Sequence, residues 1–220
     1  MSGSGRMKTT AIVSQKGGAG KTTLALHLAV AGHLAGYDTG LIDLDPQGTA
    51  ETWGGWRKDE PPAVIGAKAA TLSRTIEKAG AAGAELVIID TPPLAQAEAR
   101  AACAVADIIL VPCQLRIFDL DAIKVTAGLI KDMGKPSFVV FNRTPSRAPN
   151  LYAQGVEAVA GMGMKAAPMM LVERAAYHHA EQEGKAAQEM DPASKAALEI
   201  AELWRWLCKQ LAISSRNQVI

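Results

Sequence analysis

One stretch constrains this chain more than any other: Gln15-Lys16-Gly17-Gly18-Ala19-Gly20-Lys21-Thr22-Thr23. The apolar run Thr10 to Val13 leads into it, and a helical pattern through Leu24, Leu26, Leu28 and Ala29 leads out. Strand, glycine-rich turn and helix, in that order, is the setting of a phosphate-binding loop. With no Cβ, Gly17, Gly18 and Gly20 let backbone N–H groups close around a polyphosphate. The helix that follows points its positive end at the same anion. Lys21 reaches the terminal phosphates, and the Thr22 hydroxyl suits Mg²⁺. The nucleotide-binding set is therefore Gly17, Gly18, Ala19, Gly20, Lys21, Thr22 and Thr23. The common form of the motif has a glycine, four residues, then Gly-Lys-Ser/Thr. Counted from Gly17 the spacing here is shorter, and a second lysine, Lys16, stands at the start.

The rest of the chain alternates strand-like and helical runs. Apolar strands are expected at Thr39 to Leu44, Ala63 to Ala67, Glu85 to Asp90, Asp107 to Cys113, Ser137 to Asn142 and Met164 to Met169. Helices are expected over Gln47 to Lys58, where Trp53 and Trp56 can share a face, and over Thr71 to Ala79, Ala95 to Val105 and Leu151 to Met162. Further ones are Asp119 to Met133 with Asp119 as its N-cap, a loop-plus-helix over Leu171 to Glu183, and a closing helix from Pro192 to Leu211. This pattern predicts an α/β fold, the three-layer P-loop NTPase type: a mostly parallel central sheet with helices on both faces. Ligands in such folds bind at the carboxyl ends of the strands. At 220 residues the chain suits one such domain over residues 8–212, with a flexible leader or tag at 1–7 and a polar tail at 213–220. A formal net charge of +1 leaves no global field for nucleic acid, so any such binding needs a local patch. Cys103, Cys113 and Cys208 show no CxxC spacing and read as buried or incidental thiols in a reducing cytosol.

Two acidic sites lie at strand ends. Asp43-Leu44-Asp45-Pro46-Gln47 places its two acids two residues apart, so on a strand they point the same way. Asp90 closes Leu86-Val87-Ile88-Ile89, which resembles a Walker B strand, whose Asp binds Mg²⁺ through water. Thr22, Asp45 and Asp90 form the expected Mg²⁺ environment. Phosphoryl transfer needs positioning and charge neutralisation, and Asp45 is the candidate for orienting the attacking water. Lys21 and Asp45 are the expected catalytic residues.

Lys16-Gly-Gly-Ala-Gly-Lys21-Thr-Thr, Asp43-Leu-Asp45-Pro-Gln-Gly48 and Ile89-Asp90-Thr-Pro-Pro93 resemble the deviant Walker A, Walker A′ and Walker B motifs of ParA-type partition ATPases, in the ParA/MinD superfamily. The resemblance covers residues 8 to about 145 in order and spacing. It implies ATP and Mg²⁺ as cofactors and an ATP-dependent homodimer in which Lys16 reaches the other subunit's ATP, which adds Lys16 to the expected catalytic residues. Thr91 to Ala97 would be switch II, and Asn142, at the end of its strand, would read adenine. ParA resemblance also implies non-specific DNA binding by the dimer, with Arg143, Arg147, Lys165, Arg174 and Lys185 as candidates, Arg174 matching best. It further implies a ParB-like or other adaptor that stimulates hydrolysis, and a cytoplasmic protein that joins the nucleoid in its ATP state. The chain starts close to its first strand, as in the small ParA type without a helix-turn-helix extension. That type positions plasmids and other cargoes, including carboxysomes and chemoreceptor clusters.

Three rivals share the loop. A MinD-like membrane ATPase needs a basic amphipathic C-terminal helix. Here Ile200, Leu203, Trp204, Leu207, Cys208 and Leu211 form a stripe that reads as a core face, with Trp206 off it, so no stable membrane association is expected. An iron–sulfur reductase needs cysteines near switch II, and none closely follows Asp90. A P-loop metabolic enzyme generally lacks the signature lysine.

Overall fold

The computed structural model describes residues 6–115, 117–131, 133–146, 149–214 and 216–217. Seven strands run in chain order as β1 (Lys8–Ile12), β2 (Thr39–Asp43), β3 (Ala63–Gly66), β4 (Leu86–Asp90), β5 (Ile108–Cys113), β6 (Ser137–Thr144) and β7 (Lys165–Val172). They form one sheet in the order β3-β2-β4-β1-β5-β6-β7, and every pairing is parallel. The helices are α1 (Lys21–Leu34), α2 (Thr49–Trp56), α3 (Leu72–Ala81), α4 (Gln96–Val105), α5 (Ile117–Lys131), α6 (Pro149–Gly161), α7 (Ala175–Gln182), α8 (Ala187–Met190) and α9 (Lys195–Leu211).

Two apolar cores make the three layers. Alternate strand residues such as Ile12, Leu41, Ile88, Leu110 and Val140 meet α1, α2, α7, α8 and α9 on one face. Their neighbours Ala11, Ile42, Ile89, Val111 and Phe141 meet α3, α4, α5 and α6 on the other. Covered on both faces, β4 is buried at all five residues, which is why it reads as an unbroken apolar run. The stripe on α9 packs into the first core, as its spacing predicted. Trp206 stands edge-on to Phe138, with ring centroids 4.9 Å apart.

Register places the chemistry. Asp43 lies beside Asp90 across β2–β4, and Asp90 lies beside Ile12 across β4–β1. The two acids and the start of the glycine loop therefore share the carboxyl end of the sheet.

Several elements depart from the sequence pattern. The strand expected to stop at Met169 runs on to Val172; it is an edge strand, the place in a sheet where a proline such as Pro168 is tolerated. Helix α5 begins at Ile117, so Asp119 lies inside it rather than capping it. The closing helix starts at Lys195, capped by Ser194, whose Oγ accepts the Ala197 N–H at 3.2 Å. The one-turn α8 escapes pattern reading altogether. Trp53 is buried while Trp56 is 54% exposed, so the two do not share an environment. Trp53 donates its indole N–H to the Lys185 carbonyl at 3.2 Å and lies under Arg57. Arg57 is itself buried, pairs with both Glu189 carboxylate oxygens at 2.8 and 2.9 Å, and donates to the Gly184 carbonyl at 2.9 Å. These contacts fasten α2 to the α7–α8 turn.

Both chain ends take part in the domain. Arg6 pairs with Asp107 at 2.6 Å and Met7 packs on the second core, although residues 1–7 read as a leader. At the other end Arg216 grips both Glu85 carboxylate oxygens at 2.8 Å and stacks over Tyr37. The Tyr37 hydroxyl donates to the Ser214 carbonyl. Asn217 donates its side-chain amide to the Leu34 carbonyl at 3.0 Å, and the Arg216 and Asn217 N–H groups reach Ala35. The Leu34 carbonyl that ends α1 and the Ala35 carbonyl after it thus find their donors in Arg216 and Asn217, while Ala31, Gly32 and His33 are met by N–H groups of residues 35–37. The three cysteines are free and buried, and burial raises their thiols to about 11 for Cys103 and Cys208 and about 12 for Cys113.

Candidate nucleotide site

The loop between β1 and α1 turns where glycine permits it. Gly18 has φ +73° and Gly20, the N-cap of α1, has φ +86°. A Cβ on Gly20 would also meet Asn142 Nδ2 at 2.1 Å, so two separate constraints demand glycine there. Lys21, the first residue of α1, is buried and donates its ammonium to the Lys16 carbonyl at 3.2 Å. Burial lowers its pKa, against the pull of the Asp90 and Asp45 carboxylates. Lys16 is half-buried, and its charge lies near enough to Cys113 to oppose the rise of that thiol. Gly17 and Gly18 are exposed, so the outer face of the loop is open.

Thr22 donates its hydroxyl to Asp90 Oδ2 at 2.6 Å. Asp90 is sealed from solvent, and its second oxygen, Oδ1, has no hydrogen-bond partner. Burial drives its pKa from 3.8 to about 7, opposed by the Thr22 bond and the Lys21 charge and reinforced by Asp43 and Asp45. A buried carboxylate oxygen left unsatisfied beside a threonine hydroxyl and a lysine fits Mg²⁺ bound largely by phosphate and water. Among the described residues no cluster of three or more His, Cys, Asp or Glu side chains is arranged to hold a metal alone. Thr22 and Asp90 are the residues that would hold it, with Asp45 close enough for its charge to act on both Lys21 and Asp90.

Asp43 and Asp45 do not act as a matched pair. Strand β2 ends at Asp43, so the two-residue alternation stops there. Asp43 is buried; its Oδ2 accepts the Ala50 and Glu51 N–H groups at 2.9 and 3.2 Å, and Oδ1 accepts the Asp45 N–H at 2.8 Å. Burial raises its pKa against those N–H bonds. It therefore caps α2, while Asp45 Oδ1 closes a tight turn on the Gln47 N–H at 2.9 Å. Asp45 is the acid left half-buried toward the loop.

The loop is buttressed by Gln114 and Thr126, which the sequence did not single out, and by Thr91 and Leu94 of the segment that the resemblance reads as switch II. Gln114, just past β5, donates its amide to the Gly18 carbonyl at 2.9 Å. The Gln15 N–H reaches Thr126 Oγ1 at 3.4 Å, and the Gln15 carbonyl accepts the Leu94 N–H at 3.2 Å. The Thr91 hydroxyl donates to the Ile12 carbonyl at 2.8 Å. The available signal was the one that marked Asn142: a lone polar residue ending an apolar strand. Asn142 is buried, donates to the Ala19 carbonyl at 3.2 Å, and accepts the Arg143 N–H at 2.8 Å. Beside it a cleft of about 350 Å³ opens between Gly20 and Thr23 on one wall and residues 172–178 on the other. This is where a nucleoside attached to phosphates on the loop would lie. Behind Thr23, fully buried His27 bonds the Thr23 carbonyl through Nδ1 at 2.8 Å and accepts the Ala187 N–H on Nε2 at 3.1 Å.

The basic residues expected to bind DNA are not gathered on one patch. Arg143 and Arg174 line the cleft. Arg174 bonds Glu199 Oε1 through Nε at 2.9 Å, and Glu199 also accepts from Tyr177 and from the Val172 N–H. Lys185 is exposed on the turn between α7 and α8, and Lys165 is exposed at the start of β7, the opposite end of the sheet. Arg147 lies outside the described residues.

A parallel three-layer sheet with a glycine loop leading into α1, a buried lysine and a threonine–aspartate pair behind it defines a P-loop nucleotide-binding protein. Residues 10–187 match the CobQ/CobB/MinD/ParA nucleotide-binding domain, and the chain belongs to that family. It is 31% identical over 154 residues to the chromosome-partitioning ATPase Soj of Thermus thermophilus, covering 57% of this chain and 61% of Soj. It is 28% identical over 184 residues to the maintenance of carboxysome distribution protein A of Halothiobacillus neapolitanus, covering 80% of this chain and 84% of that protein. The fold is shared with MinD of Pyrococcus horikoshii, solved with Mg-ADP, at a TM-score of 0.72 and 19% identity over 92% of this chain and 96% of that one.

Proposed function

We propose that the protein is an Mg-dependent ATP hydrolase working as a nucleotide-timed positioning switch. ATP joins two copies face to face, the dimer binds DNA without sequence preference, and adaptor-stimulated hydrolysis releases it. The observation that carries this reading is the open loop: Gly17 and Gly18 are exposed beside Lys16, so a triphosphate held there lies at a surface that one chain leaves uncovered. A second copy covers it and brings its own Lys16 to the phosphate oxygens. Relatives named for chromosome partitioning and carboxysome distribution support a cargo-positioning role.

In this reading the loop N–H groups and Lys21 bind the phosphates, and the base enters the cleft against Asn142. Mg²⁺, when bound, neutralises phosphate charge as it builds during transfer. Thr22 and Asp90 hold that ion's environment. Asp45 accepts a hydrogen bond from the attacking water and orients it. Arg174, Lys165, Lys185 and Arg147 remain candidates for phosphate contacts to DNA, whose affinity should fall steeply with salt.

Light scattering with and without Mg-ATP tests the switch. The wild type should double in mass, and Lys16→Ala should bind ATP yet stay monomeric. Normal dimerisation of Lys16→Ala, or a wild type that stays monomeric, would sink the sandwich.

A further inference from the structure

Arg143 holds an unusual position for a residue read as a DNA contact. Its backbone is left-handed, φ +51°, and is fixed by its own N–H donating to Asn142 Oδ1 at 2.8 Å. Such a conformation persists in a non-glycine residue only where the surroundings over-determine it. From there the guanidinium turns across the carboxyl end of the sheet. Nη1 reaches the Gly18 carbonyl at 3.4 Å, and Nη2 pairs with Glu173 Oε1 at 3.0 Å. Gly18 belongs to the phosphate loop, two residues before the cleft-lining Gly20, and Glu173 lines the opposite wall, so one side chain joins the loop to the far wall of the cleft beside Thr23. The anchor on the far wall is itself fixed, because the Glu173 N–H donates to the Thr144 carbonyl at 2.9 Å.

We propose that Arg143 is a nucleotide-retaining residue: its guanidinium ties the phosphate loop to Glu173 across the nucleoside cleft, and the tie opens for nucleotide to exchange. The proposal rests on the ATP-binding reading above. It gives Arg143 a different task from DNA contact and assigns Glu173, which carries no role in that reading, as its partner. Both side chains are about half exposed, at 49% and 56%, so the tie is salt-sensitive and modest in strength.

Stopped-flow displacement of a fluorescent ATP analogue from the full chain tests it. Arg143→Gln and Glu173→Gln should each speed release about threefold to fivefold, the range open to an exposed ion pair. The double variant should release no faster than the faster single one, since both break the same tie. Wild-type release should quicken as salt rises, and release from either variant should not. Unchanged release from Glu173→Gln, or fully multiplicative effects in the double variant, would overturn the proposal. So would weakened DNA binding by Arg143→Gln with release unaltered. A wild type that binds no triphosphate overturns the ATP reading itself, an outcome separable from all of these.

Discussion

Replacing Asp90 by Asn removes one negative charge from a carboxylate that the fold encloses completely. In the free protein that carboxyl is raised from 3.8 to about 7, chiefly by burial. At about 1.4 kcal/mol per pH unit, keeping it ionised costs the native state about 4 kcal/mol at pH 7 and above. Between pH 3.8 and about 7 the folded chain holds a proton that the unfolded chain has lost. The contribution to stability therefore falls as pH rises through that window and is flat above it. An asparagine keeps an oxygen for the Thr22 hydroxyl but leaves amide hydrogens where Oδ1 found no partner, at a cost of about 1–3 kcal/mol. Asp90→Asn should thus be about 1–3 kcal/mol more stable than the wild type at pH 8 without nucleotide, and no more stable at pH 5. Urea unfolding at the two pH values, in chelator, measures this directly. A variant that is less stable at pH 8, or whose difference from the wild type is the same at both pH values, would refute the argument that an unmet charge waits there for a cation. The same variant should lose the Mg²⁺ dependence of nucleotide binding.

Two further outcomes follow from geometry near the loop. Gly20→Ala combines a left-handed backbone, about 1–2 kcal/mol for a residue with a Cβ, with a 2.1 Å approach to Asn142 Nδ2. Thermal unfolding should drop by several degrees, and calorimetry should show nucleotide affinity at least about tenfold weaker; unchanged affinity would mean that the loop does not hold the phosphates. His27 is neutral in the fold, its pKa lowered by burial against Glu181 and Glu189, with the Thr23 carbonyl on Nδ1, the Ala187 N–H on Nε2 and Tyr177 edge-on. The folded state resists the proton that an unfolded histidine takes up below about 6.5, so its contribution is intact above that pH and lost as pH falls below it. Denaturant titrations from pH 7.5 to about 5 should show a decline that His27→Gln flattens relative to the wild type; parallel curves would contradict the assignment.

Much of the phosphate site was legible because its parts are local. A glycine turn between a strand and a helix needs no partner to be recognised, and Asp43 and Asp90 announce themselves as acids ending apolar strands. What pattern could not supply is neighbourhood. Gln114 and Asn142 buttress the loop only because β5 and β6 lie on that side of β1, and strand order is not written in hydrophobic period. The parity argument for Asp43 and Asp45 failed because the strand ended between them and freed one acid to cap α2. Basic residues give no hint of which end of a sheet they occupy, so Lys165 and Arg174, nine positions apart, lie at opposite ends of β7. Nothing in the sequence around Arg57 marks it as buried; its partner Glu189 lies more than a hundred residues on.

The clasp of Ser214, Arg216 and Asn217 on the end of α1 has a consequence for synthesis. Helix α1, whose first turn faces the phosphates, leaves the ribosome early, but the donors for its final carbonyl, at Leu34, and for Ala35 are made nearly two hundred residues later. A chain broken off after Leu211 would carry every motif for binding phosphate and still lack the donors to Leu34 and Ala35 at the far end of the helix beneath them. Limited proteolysis should therefore open that end of the helix sooner in the shortened chain than in the full one.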